Sequence, residues 1–154
     1  MKENDCKLEE LRLLFDRENT RKQNLENKAS YFLGCISIVI TIVCTFSNSI
    51  TFSNVFYSYL GWGLLMFFLF SIGFCISIFL PKDYYHPFIL DDYQELENSF
   101  KVEESTFKKN LYNQYLIASY MNHNINDEIA NKLKYSFIFF IWFLIIFGVM
   151  EGIL

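Results

Sequence analysis

The chain has 154 residues, of which 53% are hydrophobic and 19% aromatic, including 18 Phe and 10 Tyr, and its net charge is −4. A soluble domain of this size has too high a surface-to-volume ratio to bury that much apolar area. The acidic balance argues against a nucleic acid polymer as partner.

The apolar residues fall in three blocks, Ala29–Ile50, Phe56–Leu80 and Tyr135–Leu154. None contains Lys, Arg or Asp, and the only acid in them is Glu151. A helix of about 20 residues crosses a hydrocarbon core of roughly 30 Å. A helix of a soluble bundle would show a polar face, which these lack. The fold class expected is an all-α membrane protein with three transmembrane helices, a long cytoplasmic N-terminal helix, and a small helical cytoplasmic module between spans two and three.

Residues 1–28 form the cytoplasmic N-terminal segment. From about Asp5 they contain no Pro or Gly. Leu8, Leu11, Phe15, Leu25 and Ala29 follow three- and four-residue spacing, interrupted on the same face by Glu18 and Lys22. Glu18 and Lys22 form an i,i+4 pair in the favourable order. The pattern predicts one helix running unbroken into span one, with its apolar stripe packed on another cytoplasmic helix or another subunit.

Span one, residues 29–50, follows this charged segment. It is too long for the apolar core of a signal peptide. Ser30, Gly34, Ser37, Thr41, Thr45 and Asn48 stand at spacings of 4, 3, 4, 4 and 3, which places all six on one helix face. Two readings of this stripe stand side by side. It is a seam that lets helices approach closely, or it lines a water-filled path in an oligomer. Gly73 and Ser77 form a shorter small-residue pair in span two, residues 56–80.

The external loop, residues 51–55, has no charge, whereas all 13 Lys and Arg lie before span one or between spans two and three. Basic residues are retained on the cytoplasmic side. The N-terminus and residues 81–134 are therefore expected inside and the C-terminus outside, in the cell inner membrane. Lys28 and Glu26 mark the cytoplasmic edge of span one, where the lysine can snorkel to headgroups. Tyr31, Tyr57, Tyr59, Trp62 and Tyr135 occupy interfacial positions.

In the cytoplasmic module, Pro81 and Pro87 are the only prolines and are expected to stop the second helix and turn the chain. Asp91 or Asp92 can cap a short helix reaching Asn98. Phe107, Leu111, Tyr115, Ala118 and Met121 recur at helical spacing. The run Asn122–Asp127, rich in capping residues, predicts a turn. Asn126 would then cap a final helix leading into span three, residues 135–154.

Catalytic signals are lacking, and the expectation is a non-enzyme without cofactor or metal. Of the four Cys, three lie in apolar blocks and read as packing residues. His86 and His123 have no acidic or Cys neighbour at ligand spacing. No phosphate loop, dinucleotide fingerprint, zinc-protease or nucleophile-elbow motif is present. The acids of Asp91–Glu97 read as a solvated, capped helix. Arg17, Arg21 and Lys22 form one basic cluster, Lys108 and Lys109 another, and Lys28 stands at the membrane edge. These six are candidate contacts for the phosphate of a ligand or a lipid.

Three stretches carry a resemblance. Leu25–Gly34 ("LENKASYFLG"), Leu80–Phe88 ("LPKDYYHPF") and Asn131–Phe140 ("NKLKYSFIFF") resemble the first-span, Pro/aromatic and last-span segments of Pycsar-type antiphage membrane effectors. The matching positions are Lys28, Ala29 and Ser30, then Lys134 and Tyr135. The resemblance implies a nucleotide-signalled defence effector that oligomerises and permeabilises or depolarises the inner membrane. The implied partners are the lipid bilayer, other copies of the chain, and a cyclic nucleotide or a separate sensor or nucleotidyltransferase. Unlike some such effectors, the chain carries no recognisable cyclic-nucleotide-binding domain. The alternative is a non-conducting membrane anchor or assembly subunit.

Overall fold

The computed structural model describes residues 2–47, 55–87 and 104–153, with side chains described over 6–43, 59, 61–87 and 105–150. Among the described residues the structure is all-helical and has no strands: α1 is Lys2–Ser47, α2 is Val55–Ile76 and α3 is Glu104–Ile153. The expected loop over 51–55 and the expected helix from Asp91 to Asn98 lie outside the described residues, except for Val55, which opens α2. The chain divides into two compact units, one of residues 1–24 and 81–128, the other of 25–80 and 129–154.

α1 is continuous for 46 residues. Its first half is built from Leu, Glu, Lys and Arg, which lose little rotamer freedom in a helix. α3 is continuous for 50 residues, so the turn predicted at Asn122–Asp127 does not form and Asn126 caps no helix. Asparagine disfavours helix interiors because its amide competes for local backbone groups. Here the amides of Asn122 and Asn126 are fully buried and bond to other elements.

α2 ends at Ile76, four residues before the expected end at Leu80. Its last turn tightens, with Ile78 N donating to Cys75 O at 3.2 Å and Phe79 N to Ile76 O at 3.0 Å. The residue before a proline avoids the helical region, which explains why the helix closes ahead of Pro81.

Among the described residues of the first unit, Leu11, Phe15 and Ala118 are the buried apolar ones. The Phe15 ring meets the His86 ring edge-on at 6.2 Å and the Tyr115 ring at 5.8 Å. Phe15 meets Tyr115, Glu18 meets Asn126 and Arg21 meets Asp127. Residue numbers rise together along these pairs, so α1 and α3 run parallel here.

In the second unit the buried positions of α1 are Ala29, Phe32 and Ile36, and those of α3 include Ile129, Leu133, Ser136, Phe140 and Phe143. Both sets alternate steps of three and four, the spacing of a knobs-into-holes seam. Phe32 stacks on Phe137 at 3.9 Å and meets Phe140 edge-on at 5.3 Å. α2 runs antiparallel to α3, since Phe68 faces Phe143, Ser71 faces Ser136 and Phe74 faces Tyr135.

The closest approach is a reciprocal serine pair. Ser71 Oγ donates to Ser136 O at 3.0 Å and Ser136 Oγ donates to Ser71 O at 2.6 Å. Cys75, one turn along from Ser71, is also fully buried and donates to Ala29 O at 3.5 Å. The seam of α2 is thus Ser71 and Cys75. Gly73 is exposed with open space beyond it, and Ser77 Oγ turns back to Phe74 O at 2.7 Å.

The core of this unit is narrow, and large apolar side chains cover its outside: Ile38, Ile42, Trp62, Leu65, Met66, Leu69, Ile141, Trp142 and Val149 are all exposed. Soluble monomers rarely expose so large a patch. Two helices, over Cys6–Val43 and Ser105–Met150, contain stretches long and apolar enough to cross a membrane, while the apolar part of α2, Gly61–Ile76, is shorter.

Candidate functional site

The first unit holds a polar cluster assembled from three parts of the chain. α1 supplies Glu18, Arg21 and Lys22, the extended segment after Pro81 supplies Tyr84 and Tyr85, and α3 supplies Asn122, His123, Asn126 and Asp127. On α3 these four sit within two turns, at positions i, i+1, i+4 and i+5, so a single helix face delivers them together.

Asn126 is the hub. Its Nδ2 donates to the backbone carbonyl of Glu18 at 2.8 Å and to Glu18 Oε2 at 2.7 Å. Its Oδ1 accepts from the Tyr84 hydroxyl. Both donors and the acceptor of the amide are therefore in use. Asn122 treats Tyr85 as a strand would: its Oδ1 accepts from Tyr85 N and its Nδ2 donates to Tyr85 O, both at 2.9 Å. The two asparagines hold the extended segment against the helix by three hydrogen bonds.

Arg21 Nη2 donates to Asp127 Oδ1 at 2.6 Å, and Arg21 Nη1 lies 3.6 Å from Glu18 Oε2. His123 Nδ1 stands 3.0 Å from Glu18 Oε1 and 3.2 Å from Arg21 Nη1. One nitrogen cannot donate to the first and accept from the second at once. The carboxylate contact is shorter and charge-assisted, and Arg21 already has Asp127, so Nδ1 is assigned as a donor to Glu18. His123 Nε2 then faces Asp127 Oδ2 at 3.5 Å.

Burial alone would raise the Glu18 carboxyl, but hydrogen bonds from Asn126 and His123, with the charges of Arg21 and His123, hold it below the usual range. Asp127 is lowered chiefly by the hydrogen bond from Arg21. The same bond is the main reason that Arg21 is raised. A carboxylate depressed in the folded state adds stability above its unfolded pKa and loses it as pH falls through the folded value. The unit should therefore hold its stability down to about pH 4, the ordinary carboxylate value, and lose it progressively below. Thermal unfolding against pH checks this, and Glu18→Gln should flatten the acid limb.

The candidate phosphate contacts are distributed. Arg21 is engaged by carboxylates, and Lys22 Nζ lies 4.1 Å over the Tyr84 ring, a cation–π contact. Arg17, Lys28 and Lys109 are exposed, and Lys108 is half-buried. Lys82 Nζ lies 3.3 Å from Glu128 Oε1. No local pattern signals the pairing of His123 with Glu18, because the two are 105 residues apart. No group of three metal-ligating side chains occurs among the described residues.

The stripe of α1 lies in the second unit. Ser30, Gly34, Ser37 and Thr41 are all exposed, while Ala29, Phe32 and Ile36 take the packing within the chain. Ser37 Oγ donates to Leu33 O at 2.9 Å and Thr41 Oγ1 to Ser37 O at 3.0 Å, so both hydroxyl protons serve their own helix. A Cβ at Gly34 would meet nothing within 4 Å. The Thr45 side chain and Asn48 lie outside the described residues. Comparison with protein-family models, with curated proteins and with solved structures gives no match to this chain.

Proposed function

We propose that the chain is a three-span inner-membrane effector, with residues 1–28 and 81–134 in the cytosol and the C-terminus outside. It assembles with copies of itself along the α1 stripe and permeabilises or depolarises the membrane when the cytoplasmic unit receives a nucleotide signal or a partner sensor. The placement of every Lys and Arg before span one or between spans two and three supports the orientation. The resemblance of Leu25–Gly34, Leu80–Phe88 and Asn131–Phe140 to Pycsar-type effectors supports the defence role.

The observation that carries the reading is the division of faces on α1. Ala29, Phe32 and Ile36 satisfy packing inside the chain, which leaves Ser30, Gly34, Ser37 and Thr41 for a contact outside it. Small residues let a second helix approach closely in lipid. A second reading, a non-conducting anchor or assembly subunit, is favoured by the Ser37 and Thr41 hydroxyls bonding to their own backbone, since such a face requires no water.

Gly34→Leu tests the assembly. The added Cβ meets nothing within 4 Å in one chain, and leucine is a better helix former than glycine. The expected result is unchanged helicity and thermal stability with loss of the oligomer by light scattering in detergent. An intact oligomer would refute assembly along this stripe. Ion flux in liposomes made with wild-type protein separates the effector from the anchor.

A further inference from the structure

The second unit has one end at which the charge-free stretches of α1 and α3 begin at the same level. Cys75 Sγ reaches Ala29 O at 3.5 Å, and the Phe74 and Tyr135 rings face each other at 5.9 Å. Ala29, Cys75 and Tyr135 therefore stand at one level. Lys28 precedes Ala29 and Lys134 precedes Tyr135, so two ammonium groups on separate helices flank that level. Both lysines are exposed. Tyr31 is 77% and Tyr135 50% exposed beside them. Lys28 and Tyr31, three apart, share a helix face.

The charge at this end is one-sided. The unit has Lys28, Lys132 and Lys134 against Glu26 here, three positive charges less one negative, or +2. Beyond the level, α1 carries no charged residue through Val43 and α3 none through Met150. A ligand suited to this surface carries a phosphate at the lysines and long hydrocarbon along the helices. A soluble phosphate would gain nothing from the adjacent apolar wall, whereas an acidic phospholipid uses both.

We propose that Lys28, Tyr31, Lys134 and Tyr135 form a docking surface for the headgroups of acidic phospholipids. This rests on the membrane-spanning reading above. The test uses the full chain in nanodiscs made from an equimolar mixture of phosphatidylglycerol and phosphatidylcholine, then extracted into detergent, with retained lipid counted by mass spectrometry. Phosphatidylglycerol should be enriched by about 5-fold over phosphatidylcholine, and raised salt should reduce this. Lys28→Gln with Lys134→Gln should bring the ratio close to one, whereas Lys7→Gln with Arg12→Gln, in the other unit, should leave it unchanged. No enrichment, or enrichment that survives the double change at Lys28 and Lys134, overturns the proposal. So does inorganic phosphate displacing the retained lipid at modest concentration, which would make this a soluble-phosphate site. Alkaline carbonate extraction tells the two failures apart. Release of the protein from native membranes defeats the membrane-spanning reading, and retention without lipid enrichment defeats only the docking surface.

Discussion

Leucine at both Ser37 and Thr41 is expected to abolish triggered ion flux in liposomes and toxicity in cells, with expression and helicity unchanged. Each hydroxyl donates to a carbonyl of its own helix, at Leu33 and Ser37 respectively. Loss of those bonds frees no buried donor in another element. Leucine is also the better helix former, so the single chain should fold as before. What changes is the outward face, where two polar groups become four-carbon branches that exclude water and block close approach. A path lined by this stripe would close by dewetting. Flux at the wild-type rate in this variant removes the stripe as the path. Flux absent from the wild-type protein under every trigger tried, with the oligomer intact, establishes the anchor reading.

Asn126→Leu should give the largest loss of stability in the first unit, about 2–4 kcal/mol. The residue is fully buried and its amide serves the Glu18 backbone, the Glu18 carboxylate and the Tyr84 hydroxyl. Leucine keeps roughly the volume and removes all three partners. The Tyr84 hydroxyl loses its acceptor and the Glu18 carboxylate loses one of its donors, and leaving a polar group unpaired costs more than the net value of the bond. Adding Tyr84→Phe should recover part of the loss, because it deletes the hydroxyl that donates to Asn126. Asn124→Ala, two residues away and exposed, should change stability by no more than about 0.5 kcal/mol. Hydrogen exchange of residues 81–87 reads the same event locally, and protection there equal to wild type would show that Asn126 does not hold the segment.

The two asparagines also show where sequence reading stops. Asparagine, histidine and aspartate in succession favour a turn when only neighbouring backbone competes for their polar groups. In α3 the competitors are the Tyr84, Tyr85 and Glu18 groups, more than 35 residues away along the chain. A helix that presents Asn122 and Asn126 at one face keeps their amides bonded without breaking, so the local preference loses. His123 has two acidic partners that residue order hides: Glu18, remote in sequence and adjacent in space, and Asp127, four residues on, which faces it only because the helix continues unbroken.

Face assignment divides similarly. The spacing of Ser30, Gly34, Ser37 and Thr41 put them on one side of a helix, as periodicity requires. Periodicity could not say whether that side packs inside the chain. The structure gives the inside to Ala29, Phe32 and Ile36, where the aromatic rings of Phe137 and Phe140 fill the space. In α2 the small pair singled out from sequence, Gly73 and Ser77, lies off the seam formed by Ser71 and Cys75. A small-xxx-small pattern existed at both pairs, and only the rotation of α2 about its axis chose between them.

By itself the sequence determined the helical class, the unbroken course of α1, the apolar blocks and the segregation of every basic residue. These follow from sums over neighbouring residues: hydropathy, charge and backbone propensity act locally and need no partner. The tertiary structure alone decided the continuity of α3 through Asn122–Asp127, the faces buried on α1 and α2, and the joining of Glu18, Arg21, His123 and Asp127. Those depend on which groups come within about 3 Å of one another, and hydrogen bonds and close packing are too short-ranged for residue order to reveal them.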